Sequence, residues 1–420
     1  MSRTAATSAA LLLLALGNTP LCAQEPAAGR AERDQPQQPA STQRGNRADH
    51  LSRSRARMAA DKAVLAAERY PLTGPLPEPV ATGRGLETMP LDRPADWYGS
   101  AAARQVADNI ISFQTPAGGW GKNQPRDRPP RLPGQWFVAV EPGSGQPSWR
   151  HVGSIDNGAT VTEIRFLVKV AEQLPDEEAA VYRASALRGI GYLFDAQYPA
   201  GGWPQVWPLQ GGYHDAITLN DDAMVNVAEL LGEIARGEPD WRFVPADVRS
   251  RAVQAEQRAI DALLQLQVVI DGRKTLWAQH YDAVSHAPVG ARAYEPAALA
   301  SAESARVLLY LMALPAPGPR IVDAVESGIA TLQALAIENR RWQRIDGAEA
   351  RSLLPQAGAP LLWARFHDLT TLQPIFGDRD GRVHHDVEQL SVERRNGYAW
   401  FGHGPARAIA RYADWPARRR

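Results

Sequence analysis

Gln114-Thr115-Pro116-Ala117-Gly118-Gly119-Trp120-Gly121 returns further along the chain as Gln197-Tyr198-Pro199-Ala200-Gly201-Gly202-Trp203-Pro204. A weaker third copy runs from Leu264-Gln265-Leu266-Gln267 through Asp271-Gly272 to Trp277. The first two copies follow helix-like runs, Ala107 to Phe113 and Ala184 to Phe194. A helix ending in Gln, a glycine turn and then Trp, used again at long and fairly regular spacing, is one structural unit repeated. Beyond these turns, apolar residues recur at helical spacing three times: Val161, Ile164, Leu167, Val168 and Ala171; Met224, Val227, Leu230, Leu231 and Ile234; and Ala298, Ala302, Ala305, Leu308 and Leu309. Long alternating strands are scarce. The pattern predicts a mostly α fold, an α/α toroid: helical hairpins in a ring or partial barrel, with irregular loops forming the functional end.

The ends of the chain bound this unit. Arg3, the apolar run Ala9 to Leu16 and Leu21-Cys22-Ala23 read as a secretory signal over residues 1–23, too short to span a bilayer. Cleavage after Ala23 leaves no cysteine, hence no disulfide and no thiolate zinc site. Residues 24–92 are rich in Ala, Arg, Gln and Pro and read as a disordered low-complexity tether, with a short helix at Ala56 to Ala67. The organised domain is expected over residues 93–416. Lys plus Arg and Asp plus Glu balance at 46 each, which gives no support to nucleic-acid or membrane binding. Twelve Trp residues hint at a sugar-facing surface.

Three short polar loops run straight into the apolar helices: Ile155-Asp156-Asn157-Gly158, Leu219-Asn220-Asp221-Asp222 and Arg292-Ala293-Tyr294-Glu295. Asp156 and Asp221 stand where an N-cap belongs, and capping alone would explain either one. Their neighbours Asn157, Asn220 and Asp222 add more acceptor oxygen than a cap needs. Such oxygens suit Ca²⁺, with water or a substrate carboxylate completing the shell. Arg292, and downstream Arg365 and Arg379, offer forks that bind carboxylates bidentately. Singly each is a structural arginine; as a set they point to an acidic ligand. Gly118 to Asn123 lacks the Walker pattern, the histidines make no zinc-binding helix pattern, and no GxSxG elbow occurs.

Taken in order, Gly118 to Asn123, Ile155 to Thr160, Gly201 to Gln205, Tyr213-His214 through Asn220-Asp221, Arg292 to Glu295, and the block from Ala364-Arg365-Phe366 to Trp400 resemble the pectate lyases of polysaccharide lyase family 10. The resemblance covers about Trp97 to Trp415. It implies Ca²⁺-assisted β-elimination on polygalacturonate (pectate). It also implies Arg292 as base, Asp156 as a catalytic residue and Ca²⁺ ligand with Asn157 and Asp221, and Arg365, Arg379 and Lys122 on substrate. The N-terminal signal makes the expected location secreted or periplasmic, and a monomer is expected. Two segments depart from the family pattern, Trp277-Ala278-Gln279-His280-Tyr281-Asp282 and His367 after Phe366. An arginine base conflicts with a guanidinium pKa above ~12, so the assignment requires a lowered pKa and an alkaline optimum. The rivals are a non-catalytic pectin-binding protein, a terpene-cyclising toroid, and a toroid glycoside hydrolase that would use two carboxylates and water.

Overall fold

The computed structural model describes residues 40–140 and 152–419. The expected signal and its cleavage site lie outside them. Ten α-helices occur among the described residues: α1 Ala40–Arg69, α2 Ala101–Ser112, α3 Val161–Ala171, α4 Asp176–Ala196, α5 Ala223–Arg236, α6 Ala246–Leu266, α7 Ser301–Ala313, α8 Pro319–Ala334, α9 Val392–Gly397 and α10 Gly404–Ala413. Helices α3 and α4, α5 and α6, and α7 and α8 form successive hairpins. Across hairpins α3 packs on α5, α5 on α7 and α7 on α10, while α2, α4, α6 and α8 pack in a second, outer row. This is the α/α toroid arrangement that the repeat predicts. None of the described helices is long and apolar enough to cross a membrane.

The repeat explains how the rows are joined. The indole N–H of Trp120 donates to the Ile110 carbonyl on α2, Trp203 to Leu193 on α4, Trp277 to Leu263 on α6 and Trp363 to Leu332 on α8, each at 2.7 Å. Trp363 is thus a fourth copy, which lacks the Gln and glycine turn that made the others visible in the sequence. The glutamines reach further. Gln114 Nε2 donates to Gly118 and to Ser185 on α4, Gln197 to Gly201 and Ala255 on α6, and Gln267 to Thr275 and Ala324 on α8. Each Gln therefore satisfies carbonyls of its own turn and of the next outer helix, stapling one unit to the following one. All four repeat tryptophans are fully buried, as are Trp207 and Trp400. The Trp count reports core construction, against the expectation of a sugar-facing surface.

Two further expectations are corrected. The described part of segment 24–92 is not a loose tether: α1 is a 30-residue helix whose His50, Ser54, Asp61 and Leu65 are buried. The His50 ring lies 4.5 Å from that of Trp207, Ser54 Oγ accepts from the Leu209 N–H (2.9 Å), and Glu68 pairs with Arg131. The buried face has helical spacing but is mostly polar, so hydrophobic periodicity does not reveal it. The third helix begins at Ser301, later than the alanine run suggests. Leu299–Ala300 is instead a strand paired with Phe366–His367, and Ala300 N–H donates to the Trp277 carbonyl (2.7 Å). Backbone pairing across the repeat overrides the helix propensity of the alanines.

Candidate active site

Asp156 and Asp221 lie in two 3₁₀ turns, Asp156–Gly158 and Asn220–Asp222, which abut at the mouth of the inner row. Each turn follows a two-residue strand, Gly153–Ser154 or Ile217–Thr218. Asn157 (φ 51°) and Asp221 (φ 50°) occupy the same left-handed position in the two units. Register therefore equates Asp156 with Asn220 and Asn157 with Asp221: the carboxylate moves one residue between copies. Neither aspartate caps a helix. Thr160 and Asp222 hold the N-cap positions of α3 and α5, and neither makes a side-chain cap bond. The capping explanation fails on geometry. Pro-free polar turns holding φ > 0 residues are strained, and such strain is found where side chains must be aimed.

The aimed groups meet. Lys122 Nζ donates to Asp156 Oδ2 at 2.5 Å, Asn157 N–H to Asp156 Oδ1 at 3.1 Å, and Asn157 Nδ2 to Asn123 Oδ1 at 3.0 Å. Asn220 Nδ2 donates to Asp221 Oδ2 (2.7 Å) and reaches Asp156 Oδ1 at 3.5 Å. Asn220 Oδ1 accepts from Gln279 Nε2 (2.6 Å) and Arg365 Nη2 (3.3 Å). Gln279 Nε2 and Arg365 Nη2 both also donate to Glu303 Oε1, at 3.1 and 2.6 Å. Glu303 is buried and its Oε2 has no partner among the described residues. Burial, then the Asp156 charge, pushes the Asp221 carboxyl up to about 6 despite Arg365.

Arg292 sits in a turn, Glu295 N–H donating to the Arg292 carbonyl (2.7 Å), and not at the start of α7. Its Nε donates to Glu295 Oε2 and its Nη2 lies on Oε1, both at 2.7 Å, while Tyr398 OH donates to the same Oε1 (2.8 Å). Burial alone would lower this guanidinium, but the Glu295 hydrogen bond and charge push it above its ordinary value. Tyr213, His214 and His280 each feel the charge of both Arg292 and Asp156. Burial holds His214 and His280 down to about 4, so both are neutral in use. Arg379 is exposed, pairs with Glu393 (3.0 Å) and lies over the Tyr294 ring at 5.3 Å, the distance at which Arg292 approaches that ring.

Lys122, Asp156, Asn157, Asp221 and Arg365 therefore share one network, Arg292 lies close enough for its charge and that of Asp156 both to act on Tyr213 and His280, and Arg379 shares the Tyr294 ring with Arg292. Sequence reasoning missed Asn220 as the hub, Gln279 and Glu303. One signal was available. Lys122, Gln205, Gln279 and Arg365 each stand two residues after a repeat tryptophan, and three of the four point into the site.

No group of three or more His, Cys, Asp or Glu side chains stands ready to hold a metal among the described residues. The donors present are nonetheless oxygen-only: the buried Asp156 carboxylate and the more exposed Asp221 carboxylate, with Asn157 beside them. That set fits a hard divalent cation whose shell a ligand carboxylate and water complete. A cleft of about 630 Å³ opens beside Asn157 and Asp221, and Arg84, Leu86 and Glu87 form its far wall.

The family model described as Pectic acid lyase matches residues 114–409. Among solved structures, a Family 10 polysaccharide lyase from Cellvibrio cellulosa is 31% identical, with a TM-score of 0.65, covering 80% of this chain and 99% of that one. A mutant of a Family 10 polysaccharide lyase from the same organism, in complex with trigalacturonic acid, is 30% identical with a TM-score of 0.67, covering 79% and 98%. No curated protein sequence matches the chain. The chain belongs to the pectic acid lyase family, and it is a pectate lyase of polysaccharide lyase family 10.

Proposed function

We propose that the enzyme cleaves polygalacturonate by Ca²⁺-dependent β-elimination, leaving a 4,5-unsaturated sugar at the new end. The observation that carries this reading is the meeting of Asp156, Asp221, Lys122 and Arg365 in one network, with Arg292 nearby. Asp156, Asp221 and the Asn157 amide oxygen would hold Ca²⁺. Bound there, it supplies Lewis-acid neutralisation of the substrate carboxylate next to C5, which makes the C5 hydrogen more acidic. Lys122 shares that carboxylate's charge. Arg365 offers the edge of its guanidinium that Glu303 leaves open, and with Arg379 it fixes flanking uronates and so positions the ring.

Arg292 is the base in this scheme. The C5–H bond breaks, its proton goes to neutral Arg292, its electron pair forms the C4–C5 double bond, and the C4–O4 bond breaks with its electron pair on O4, which takes a proton from water as the leaving sugar departs. The Glu295 pair opposes that role, because a guanidinium forked on a carboxylate holds its proton more tightly. Arg292 works as a base only once Glu295 has let go of it, and Tyr398, already donating to Glu295, is placed to keep the carboxylate when that happens. This requirement reinforces the expectation of an alkaline optimum.

The test is absorbance in the unsaturated-uronide band with polygalacturonate at alkaline pH, with Ca²⁺ and then with a chelator. A rise abolished by chelation, and lowered about 10³-fold or more in Arg292→Ala and Asp221→Asn, supports the scheme, that being the scale of losing a general base or metal ligand. Binding without a rise would leave a pectin-binding protein. We also propose that the enzyme is secreted and acts as a monomer, on the strength of Arg3, the apolar run and Ala23 for the first. N-terminal sequencing of the mature chain outside the cytoplasm and sedimentation would decide both.

A further inference from the structure

We propose that the hairpin formed by strands Arg340–Arg344 and Arg351–Pro355 is a docking surface for the polyanionic substrate chain, remote from the cleavage point. The two strands are antiparallel, with Arg344 directly opposite Arg351 and Trp342 opposite Leu353. Trp342 and Leu353 do the packing: both lie against a buried apolar cluster that includes Phe366, Phe376, Trp400 and Phe401, and the Trp342 ring is 5.0 Å from that of Phe401. The arginines do none of it. Arg340, Arg341, Arg344 and Arg351 are exposed, and none makes an ion pair among the described residues. Glu338, Asp346 and Glu349, the acids nearest in sequence, pair with none of them. Like charges directly opposite on a two-stranded ladder destabilise it. An anionic ligand across Arg344 and Arg351 turns that repulsion into attraction.

The surface is continuous with the site. Arg395 of α9 donates from Nε to the Arg351 carbonyl (2.9 Å) and from Nη2 to Ser352 Oγ (2.9 Å), which fixes the hairpin to α9. Glu393 on the same helix pairs with Arg379 and Arg394. Both guanidiniums lie over the Tyr294 ring, at 5.3 and 4.4 Å, and Arg292 shares that ring. Arginines thus line the path from Arg292 through α9 to Arg351 and Arg344; those nearer the site are paired with Glu295, Glu393 and Glu388, and the unpaired charge lies at the hairpin. Arg394 and Arg395 are mostly covered and hold the track together, the Arg379 fork is taken by Glu393, and Arg344 and Arg351 present their forks to solvent. A polymer with one carboxylate per sugar matches such a series of forks, each able to take one carboxylate.

This inference rests on polygalacturonate as substrate. The test compares the wild type with the Arg344→Ala/Arg351→Ala double variant on long polygalacturonate and on trigalacturonate, reading KM and kcat separately. The expected result is a rise of about threefold or more in the ratio of KM on polymer to KM on trimer, the size of losing two exposed charge contacts. The KM on polymer should also become less sensitive to added salt, and Arg344→Lys/Arg351→Lys should restore part of both effects. An unmoved ratio in a double variant with wild-type Tm overturns the docking surface alone. Absence of unsaturated product from polygalacturonate with the wild type would overturn the substrate reading, and this inference with it.

Discussion

Glu303 and Arg365 show how much of the site is decided at the scale of single atoms. Arg365 Nη2 serves both Glu303 Oε1 and Asn220 Oδ1, while Arg365 Nε and Glu303 Oε2 find no partner among the described residues. The pair is nearly buried, 15% and 3% exposed, so removing one partner strands the other charge. Glu303→Ala is expected to cost about 3–5 kcal/mol of stability, measurable by denaturant unfolding. Glu303→Gln keeps an acceptor for Nη2 and loses only the charge. It should recover only part of that stability, since Arg365 still lacks its counter-charge, while raising KM more than it lowers kcat, because Arg365 loses its orientation and keeps its reach. A Glu303→Gln enzyme with unaltered KM would show that Glu303 is structural only. The candidate residues themselves were legible in the chain: Lys122, Asp156, Asn157, Asp221 and Arg365 all reach one network. Glu303 was not, because a lone Glu on an apolar helix carries no local mark. Nor was the bond between Arg292 and Glu295, whose three-residue spacing suits many harmless surface pairs.

The glycine turns matter at the scale of elements. Gly201 has φ 102°, and a Cβ there would meet the Arg258 carbonyl oxygen of α6 at 2.0 Å. Gly118 is its equivalent, with φ 105° and the Arg188 carbonyl oxygen of α4 at 2.6 Å. The outer helix must come this close because Gln197 and Gln114 staple it to the turn. Gly201→Ala therefore meets both forbidden backbone and fixed carbonyl, and the expected outcome is loss of soluble folded protein or a Tm lower by several degrees. A Gly201→Ala protein with wild-type Tm would refute the close approach. Helix existence was readable from apolar spacing, as α3 and α5 show. The start of α7 was not, since strand pairing with Phe366–His367 is a contact between distant segments.

The N-terminal helix α1 ties its own stability to the whole molecule. Asp61 is buried without a hydrogen-bond partner among the described residues, and burial pushes its carboxyl up to about 7, only partly offset by Arg57. A carboxyl raised in the folded state holds its proton more tightly there than in the unfolded chain. Its contribution is complete below the ordinary carboxylate range and is lost as pH rises through about 7. At the alkaline pH proposed for catalysis the charged form is buried at a cost. Asp61→Asn should raise Tm by ~2 °C or more at pH 9 and change it little at pH 5. An equal shift at both pH values would exclude titration of Asp61 as the cause.

The sequence alone determined the repeated unit, the mostly helical toroid, the oxygen donors and the arginines, because each is carried by residues near one another in the chain. Periodicity, turn chemistry and the side-chain inventory are local properties. Tertiary structure alone decided that residues 50–92 are part of the folded body, that the tryptophans are core, and that Asn220 joins Asp156 to Asp221 and Arg365. It also decided that Arg292 starts on Glu295. Each of these depends on which distant segment supplies the hydrogen-bond partner, and in a ring of repeats that partner comes from the neighbouring unit.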